Sequence, residues 1–283
     1  MKAITAMLLL LLFQPLTSAS PIRATCTDGG SILLQTNLRG VFFQVINDVW
    51  GDPGNRHEQC VFAGDGGLGW RWLKPSFSYQ PYFPNLLLNV NQYFHVTTAQ
   101  LHKLQVVFSA VVRGTGTYNL AFDVWFSADR DGKQLTDEVM VWMLWTNRTI
   151  RLSPVVNDGF NDYGYITFKA SWRFHAFLLL ANRIPFLVDL GKLIHSAQVS
   201  GYLKSISLGN ELFSGIGQTN IYAINMLIND LSIRNAGACY SLPCAGNATT
   251  SSIDAVSLGA NYPVPALANF ERARKDLKTQ LAT

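Results

Sequence analysis

Thr136-Asp137-Glu138-Val139-Met140-Val141-Trp142 has two unlike sides when taken as a strand, where side chains alternate from face to face. Val139, Val141 and Met143 share one side, and that side is all core. Glu138, Met140 and Trp142 share the other. A carboxylate beside a thioether and an indole is an odd composition for a solvated face. It suits the floor of a groove, where the indole offers a flat ligand a platform and the carboxylate does chemistry. The plainer alternative is a surface Glu on an edge strand, with apolar neighbours by chance.

The pattern around this stretch is all-β. Alternating or apolar runs predict strands at Val41–Val49, Gly69–Leu73, Leu104–Val112, Tyr118–Ser127, Glu138–Leu144, Tyr163–Phe168, Trp172–Leu180, Leu203–Phe213 and Asn220–Leu231. Turn residues separate most of them, as in Arg113-Gly114-Thr115-Gly116 and Asp129-Arg130-Asp131-Gly132. In the last run Tyr222, Ile224, Met226 and Ile228 share one face. One helix is expected after Pro185, where Phe186, Leu187, Leu190, Leu193, Ile194 and Ala197 recur at helical spacing ahead of Gly201. The expectation is a β-sandwich or jelly roll of two antiparallel sheets with one helix packed on the outer face.

The first 19 residues read as a secretory signal peptide. Lys2 precedes the apolar run Ile4–Phe13 and the small residues Thr17-Ser18-Ala19. Cleavage there leaves 264 of 283 residues and a net charge of +3 instead of +4. That charge is too mild to point to nucleic acid, and no later run reads as a membrane span. Residues 20–234 are expected to form the jelly-roll domain, and 235–283 a linker-like tail with a possible short helix from Leu267 to Leu281. An exported protein without membrane or nucleic-acid partners follows as an expectation. The four cysteines allow three pairings, of which Cys26–Cys60 and Cys239–Cys244 are favoured over a metal site. Asn147-Arg148-Thr149 and Asn247-Ala248-Thr249 are glycosylation sequons, relevant in a eukaryotic host.

Two further acids are candidates for chemistry. In Tyr118-Asn119-Leu120-Ala121-Phe122-Asp123-Val124-Trp125-Phe126-Ser127, Phe122, Val124 and Phe126 face the core, so Asp123 shares the other side with Trp125. A mid-strand Asp among aromatics is poorly solvated and needs a partner. Glu211 lies in Leu208-Gly209-Asn210-Glu211-Leu212-Phe213-Ser214-Gly215-Ile216-Gly217, among glycines that allow close approach. Two carboxylates over a sheet lined with Trp are what glycoside hydrolysis asks for. The signatures of serine esterases, phosphate-loop enzymes and zinc proteases are missing.

These segments resemble glycoside hydrolase family 12, the β-jelly-roll endo-β-1,4-glucanases also called cellulase family H. Glu138-Val139-Met140-Val141-Trp142 is similar to the family's nucleophile strand. Leu208-Gly209-Asn210-Glu211 with Gly215-x-Gly217 is similar to its acid/base strand. Asn47-Asp48-Val49-Trp50-Gly51, then Cys60, resembles its N-N-x-W-G…C segment, with Asp48 in place of the second Asn. Trp70-Arg71-Trp72 and Tyr82-Phe83-Pro84-Asn85 resemble two more segments, with Phe83 inserted in the second. The resemblance implies Glu138 as nucleophile, Glu211 as acid and then base, and Asp123 as hydrogen-bond partner of Glu138. It implies substrate contacts at Trp50, Asn47, Met140, Trp142 and Trp125. No cofactor and no metal are called for, and a monomer acting on β-glucan polysaccharide is expected. A transglycosylase preferring xyloglucan and a catalytically idle glucan-binding protein are the rival readings.

Overall fold

A computed structural model describes residues 23–49, 58–64, 67–74, 82–146, 154–169 and 171–235. The signal peptide, the tail, both sequons and the Cys239–Cys244 pair lie outside the described residues. The strands are β1 (Arg23–Thr25), β2 (Ser31–Gln35), β3 (Phe42–Ile46), β4 (Glu58–Gly64), β5 (Gly67–Lys74), β6 (Asn85–Leu88), β7 (Leu104–Gly114) and β8 (Asn119–Ser127). They continue with β9 (Leu135–Trp145), β10 (Val155–Asn157), β11 (Asp162–Lys169), β12 (Arg173–Leu179), β13 (Leu187–Asp189), β14 (Tyr202–Gly209), β15 (Gly215–Ile228) and β16 (Leu231–Arg234). Two helices, α1 (Val90–Tyr93) and α2 (Leu190–Ser196), complete the list.

The strands form two sheets. One has seven strands, in the order β1-β4-β5-β15-β7-β13 with β16 also on β15. The other has nine, in the order β10-β11-β12-β9-β8-β14-β6-β3-β2. Pairing is antiparallel throughout the described strands except between β12 and β9. The fold is thus the expected jelly roll.

Alternation on β8 sets the layers. Phe122 meets Phe108 of the seven-stranded sheet edge to face at 5.4 Å. Phe122, Val124 and Phe126 therefore point into the space between the sheets, together with Val139, Val141 and Met143 of β9, and all are fully buried. Asp123 and Trp125 must point away from the other sheet. The turn after β8 follows its residue chemistry. The Asp129 carboxylate accepts hydrogen bonds from the backbone N–H of Gln134 at 2.6 Å and of Lys133 at 3.1 Å. Those bonds hold its carboxyl below the usual aspartate range, and Gly132 supplies the positive φ of 73°.

Three expectations are corrected. The helix does not begin at Phe186: Leu187–Asp189 instead pair with β7 and complete the sheet edge. Asp189 then caps α2 by accepting from the backbone N–H of Lys192 at 3.0 Å. The last long strand begins five residues before Asn220, at Gly215, and its inward face switches at Tyr222. A register shift against β7 between Ile221 and Ala223 puts Thr219 and Ile221 inward before it, and Ile224, Met226 and Ile228 after it. The run Leu203–Phe213 stops as a strand at Gly209, and only a bridge from Leu212 to Tyr82 and Tyr118 continues it.

Cys26 and Cys60 form the expected disulfide, closing a 34-residue separation between the N-terminal segment and β4. A loop of that length contributes about 3–4 kcal/mol by constraining the unfolded chain. Reduction, or replacement of both cysteines by serine, is expected to lower the thermal midpoint by about 6–15 °C, read by calorimetry.

Candidate active site

Glu138 lies on a central strand, directly opposite Trp125 of β8 on one side and Phe174 of β12 on the other. Sharing Trp125's face, it points away from the seven-stranded sheet. It is 5% exposed, which removes the edge-strand reading. Asp123, 8% exposed, stands opposite Met140 of β9 and Ser207 of β14. Trp142 continues the same face opposite Ala121. Asp123, Trp125, Glu138, Met140 and Trp142 therefore form one patch across β8 and β9, as the alternation predicted.

Glu211 reaches this face from beyond β8. The Asn210 side chain points toward the seven-stranded sheet, where its Oδ1 accepts from Trp70 Nε1 at 2.7 Å and from Thr219 Oγ1 at 2.6 Å. Its Nδ2 donates to the backbone carbonyl of Asn119. With Asn210 so anchored, the next side chain is sent to the opposite face. Asn119 then grips Glu211 twice. Its Oδ1 accepts from the Glu211 backbone N–H at 2.8 Å, and its Nδ2 donates to Glu211 Oε2 at 2.6 Å. Glu211 is 7% exposed. Gly209, two residues earlier, has no room for a side chain, since a Cβ there would lie 2.7 Å from the Pro84 carbonyl and 2.8 Å from the ring of the inserted Phe83.

Two indoles hold the other acids. Trp125 Nε1 donates to Asp123 Oδ2 at 2.9 Å, and Trp172 Nε1 donates to Glu138 Oε2 at 2.7 Å. The two rings meet edge to face at 5.1 Å. All three carboxylates thus accept a hydrogen bond from a neutral N–H, which orients each without neutralising it.

On the reverse face, toward the core, the residue before Glu138 is also held. Asp137 is fully buried, and its Oδ1 pairs with Arg173 Nε at 2.8 Å and His175 Nε2 at 3.1 Å. His175 Nδ1 in turn meets Tyr165 Oη at 2.7 Å. Burial opposes ionisation of Asp137. Hydrogen bonds from His175, Arg173 and Thr136, with the Arg173 charge, outweigh it and hold the carboxyl below its usual range.

Two of the substrate-contact expectations stand apart from the patch. Trp50 lies outside the described residues. Asn47 is fully buried: its Nδ2 donates to the Thr27 carbonyl at 3.0 Å and its Oδ1 accepts from Gln59 Nε2 at 2.8 Å. It is a strut between the first turn and β4, with both ends of its amide occupied. Sequence reasoning missed Trp172 and Asn119. Asn119 carried a signal, since Asn is a poor strand former and needs a reason to stand inside one. Trp172 carried none short of knowing that β12 pairs with β9. Among the described residues, no three His, Cys, Asp or Glu side chains gather in a metal-ligating cluster.

No family model matches the chain. Endoglucanase S of Pectobacterium parmentieri is 26% identical over 216 residues, covering 63% of this chain and 79% of that protein. A family 12 xyloglucanase from Bacillus licheniformis, solved with ligand, superposes with a TM-score of 0.64 at 22% identity, over 73% of this chain and all of that one. Endoglucanase 3 of Trichoderma harzianum, from family 12, superposes with a TM-score of 0.60 at 15% identity, over 74% of this chain and 98% of that one. The two structures share this fold, and in sequence the chain is similar to an endoglucanase.

Proposed function

We propose that this glycoside hydrolase, built on the family 12 jelly roll and acting on glucan, is an endo-acting β-1,4-glucanase that retains anomeric configuration. The observation that carries the reading is that Asp123, Glu138 and Glu211 turn to one face of one sheet, each held by a neutral N–H from Trp125, Trp172 or Asn119. Glu138 attacks the anomeric carbon while Glu211 gives its proton to the departing oxygen. Water then displaces the sugar from Glu138, with Glu211 taking the proton. Asp123 sits beside this exchange on the neighbouring strand and helps set the charge of the face. Trp125, half-buried on this face, offers a sugar ring apolar area, with Met140 and Trp142 packed beside it at 2% exposed each.

The same reading has the protein exported and working as a monomer. The Cys26–Cys60 disulfide supports an oxidising compartment.

The test follows barley β-glucan, carboxymethylcellulose and xyloglucan by viscosity and by reducing ends, with proton NMR of the first products. The expected result is viscosity falling well ahead of reducing ends on at least one substrate, with the β-anomer appearing first. An α-anomer would overturn retention. Binding without cleavage on all three would favour the idle glucan-binding reading.

A further inference from the structure

We infer that Trp172 is a positioning residue for Glu138, one that fixes which carboxylate oxygen attacks and eases release of the sugar in the second step. The inference rests on the reading of Glu138 as the nucleophile. Trp172 immediately precedes β12, and its indole N–H meets Glu138 Oε2 at 2.7 Å. The parallel register sets Arg173 beside Asp137 and Phe174 beside Glu138. β12 therefore reaches β9 on both faces at one level, through Arg173 and His175 on Asp137 and through Trp172 on Glu138. The Trp172 ring is also held against Trp125, which donates to Asp123. Four side chains, Asp123, Trp125, Trp172 and Glu138, form one continuous chain of contacts.

An indole N–H donates and never accepts, so Trp172 takes no part in proton transfer. Its effect is on charge. In the first step an electron pair on Glu138 Oε1 forms a bond to the anomeric carbon. The glycosidic C–O bond breaks, and the Glu211 proton goes to the leaving oxygen. Glu138 becomes a neutral ester with Oε2 as its carbonyl oxygen. In the second step water gives a proton to Glu211 and bonds to the same carbon, and the pair in the C–Oε1 bond returns to Glu138. The carboxylate is regenerated there, and a donor on Oε2 stabilises it more than it stabilises the ester. Trp172 therefore favours the second step over the first.

Trp172→Phe is expected to lower kcat by about ten- to a hundredfold, the cost of one charge-assisted hydrogen bond, with kcat/KM on an activated aryl cellobioside falling much less. KM falls with kcat, and intact-protein mass spectrometry shows glycosyl-enzyme accumulating in the steady state. A merely structural Trp172 would lower kcat and kcat/KM together, with no accumulation, and that result overturns the inference. Should the Phe variant fail to fold, the same measurements apply to benzothienylalanine at position 172, which keeps the indole shape without the N–H. A 2-deoxy-2-fluoro cellobioside with a good leaving group, applied to the unaltered protein, separates the two levels. Labelling of Glu138 with unchanged step balance in the variant sinks the role of Trp172 alone. Absence of label on Glu138 sinks the nucleophile assignment and this inference with it.

Discussion

Glu138→Gln is expected to lower turnover on a soluble β-glucan by roughly 10³- to 10⁵-fold, because groups that act as a unit each cost nearly the whole effect. The amide matches the carboxylate in shape, and its oxygen still accepts from Trp172, so the fold is kept. What is lost is the charge and the electron pair that bond to the anomeric carbon. Reducing-end assays with matched thermal midpoints check this. Near-normal turnover would remove Glu138 from the mechanism and leave the patch as a binding surface. Glu211→Gln should behave differently. Its loss is expected to be severe on polysaccharide and mild on substrates whose leaving group needs no proton, since only Glu211 is assigned proton transfer.

Asp137→Asn carries the second large effect, on stability. Removing one partner of a buried, hydrogen-bonded charge cluster costs about 3–5 kcal/mol, and the lower end applies because Arg173 is 45% exposed and regains water. A loss near 3 kcal/mol lowers the midpoint of a domain this size by about 6–12 °C at neutral pH. The pH dependence follows from the depressed carboxyl. Its native value lies below its unfolded value near 3.9, so its contribution is complete above about pH 4 and drains away as pH falls through the native value. Wild type and Asp137→Asn are therefore expected to differ at pH 7 and to converge in strong acid. Parallel calorimetric scans at the two pH values check this, and an equal gap at both would assign the cost to packing instead of charge.

What could be read from the sequence was what lives within a strand. The faces of β8 and β9 follow from a period of two. So the outward set Asp123, Trp125, Glu138, Met140 and Trp142 was recoverable residue by residue. The Asp129–Gly132 turn was legible for the same local reason. What depends on a partner strand was not. Trp172 matters only because β12 lies parallel beside β9. The inward switch at Tyr222 depends on a register shift against β7. Leu187–Asp189 carry a helical apolar spacing yet serve as a sheet edge because β7 offers free backbone there. Asn47 looked like a ligand contact because its neighbours match a family segment. Its burial is set by Thr27 and Gln59, which no local pattern announces.

The place of β14 between β8 and β6 has a consequence for when the enzyme comes alive. Both neighbours are synthesised long before it. The contacts that aim Glu211 reach back 92 positions to Asn119, and one that anchors Asn210 reaches back 140 to Trp70. Pairings so distant along the chain form late and slowly. A nascent chain can contain Glu138, Asp123 and every groove indole and still lack its acid. Glu211 follows directly on β14, so a chain that ends before it is expected to be inert.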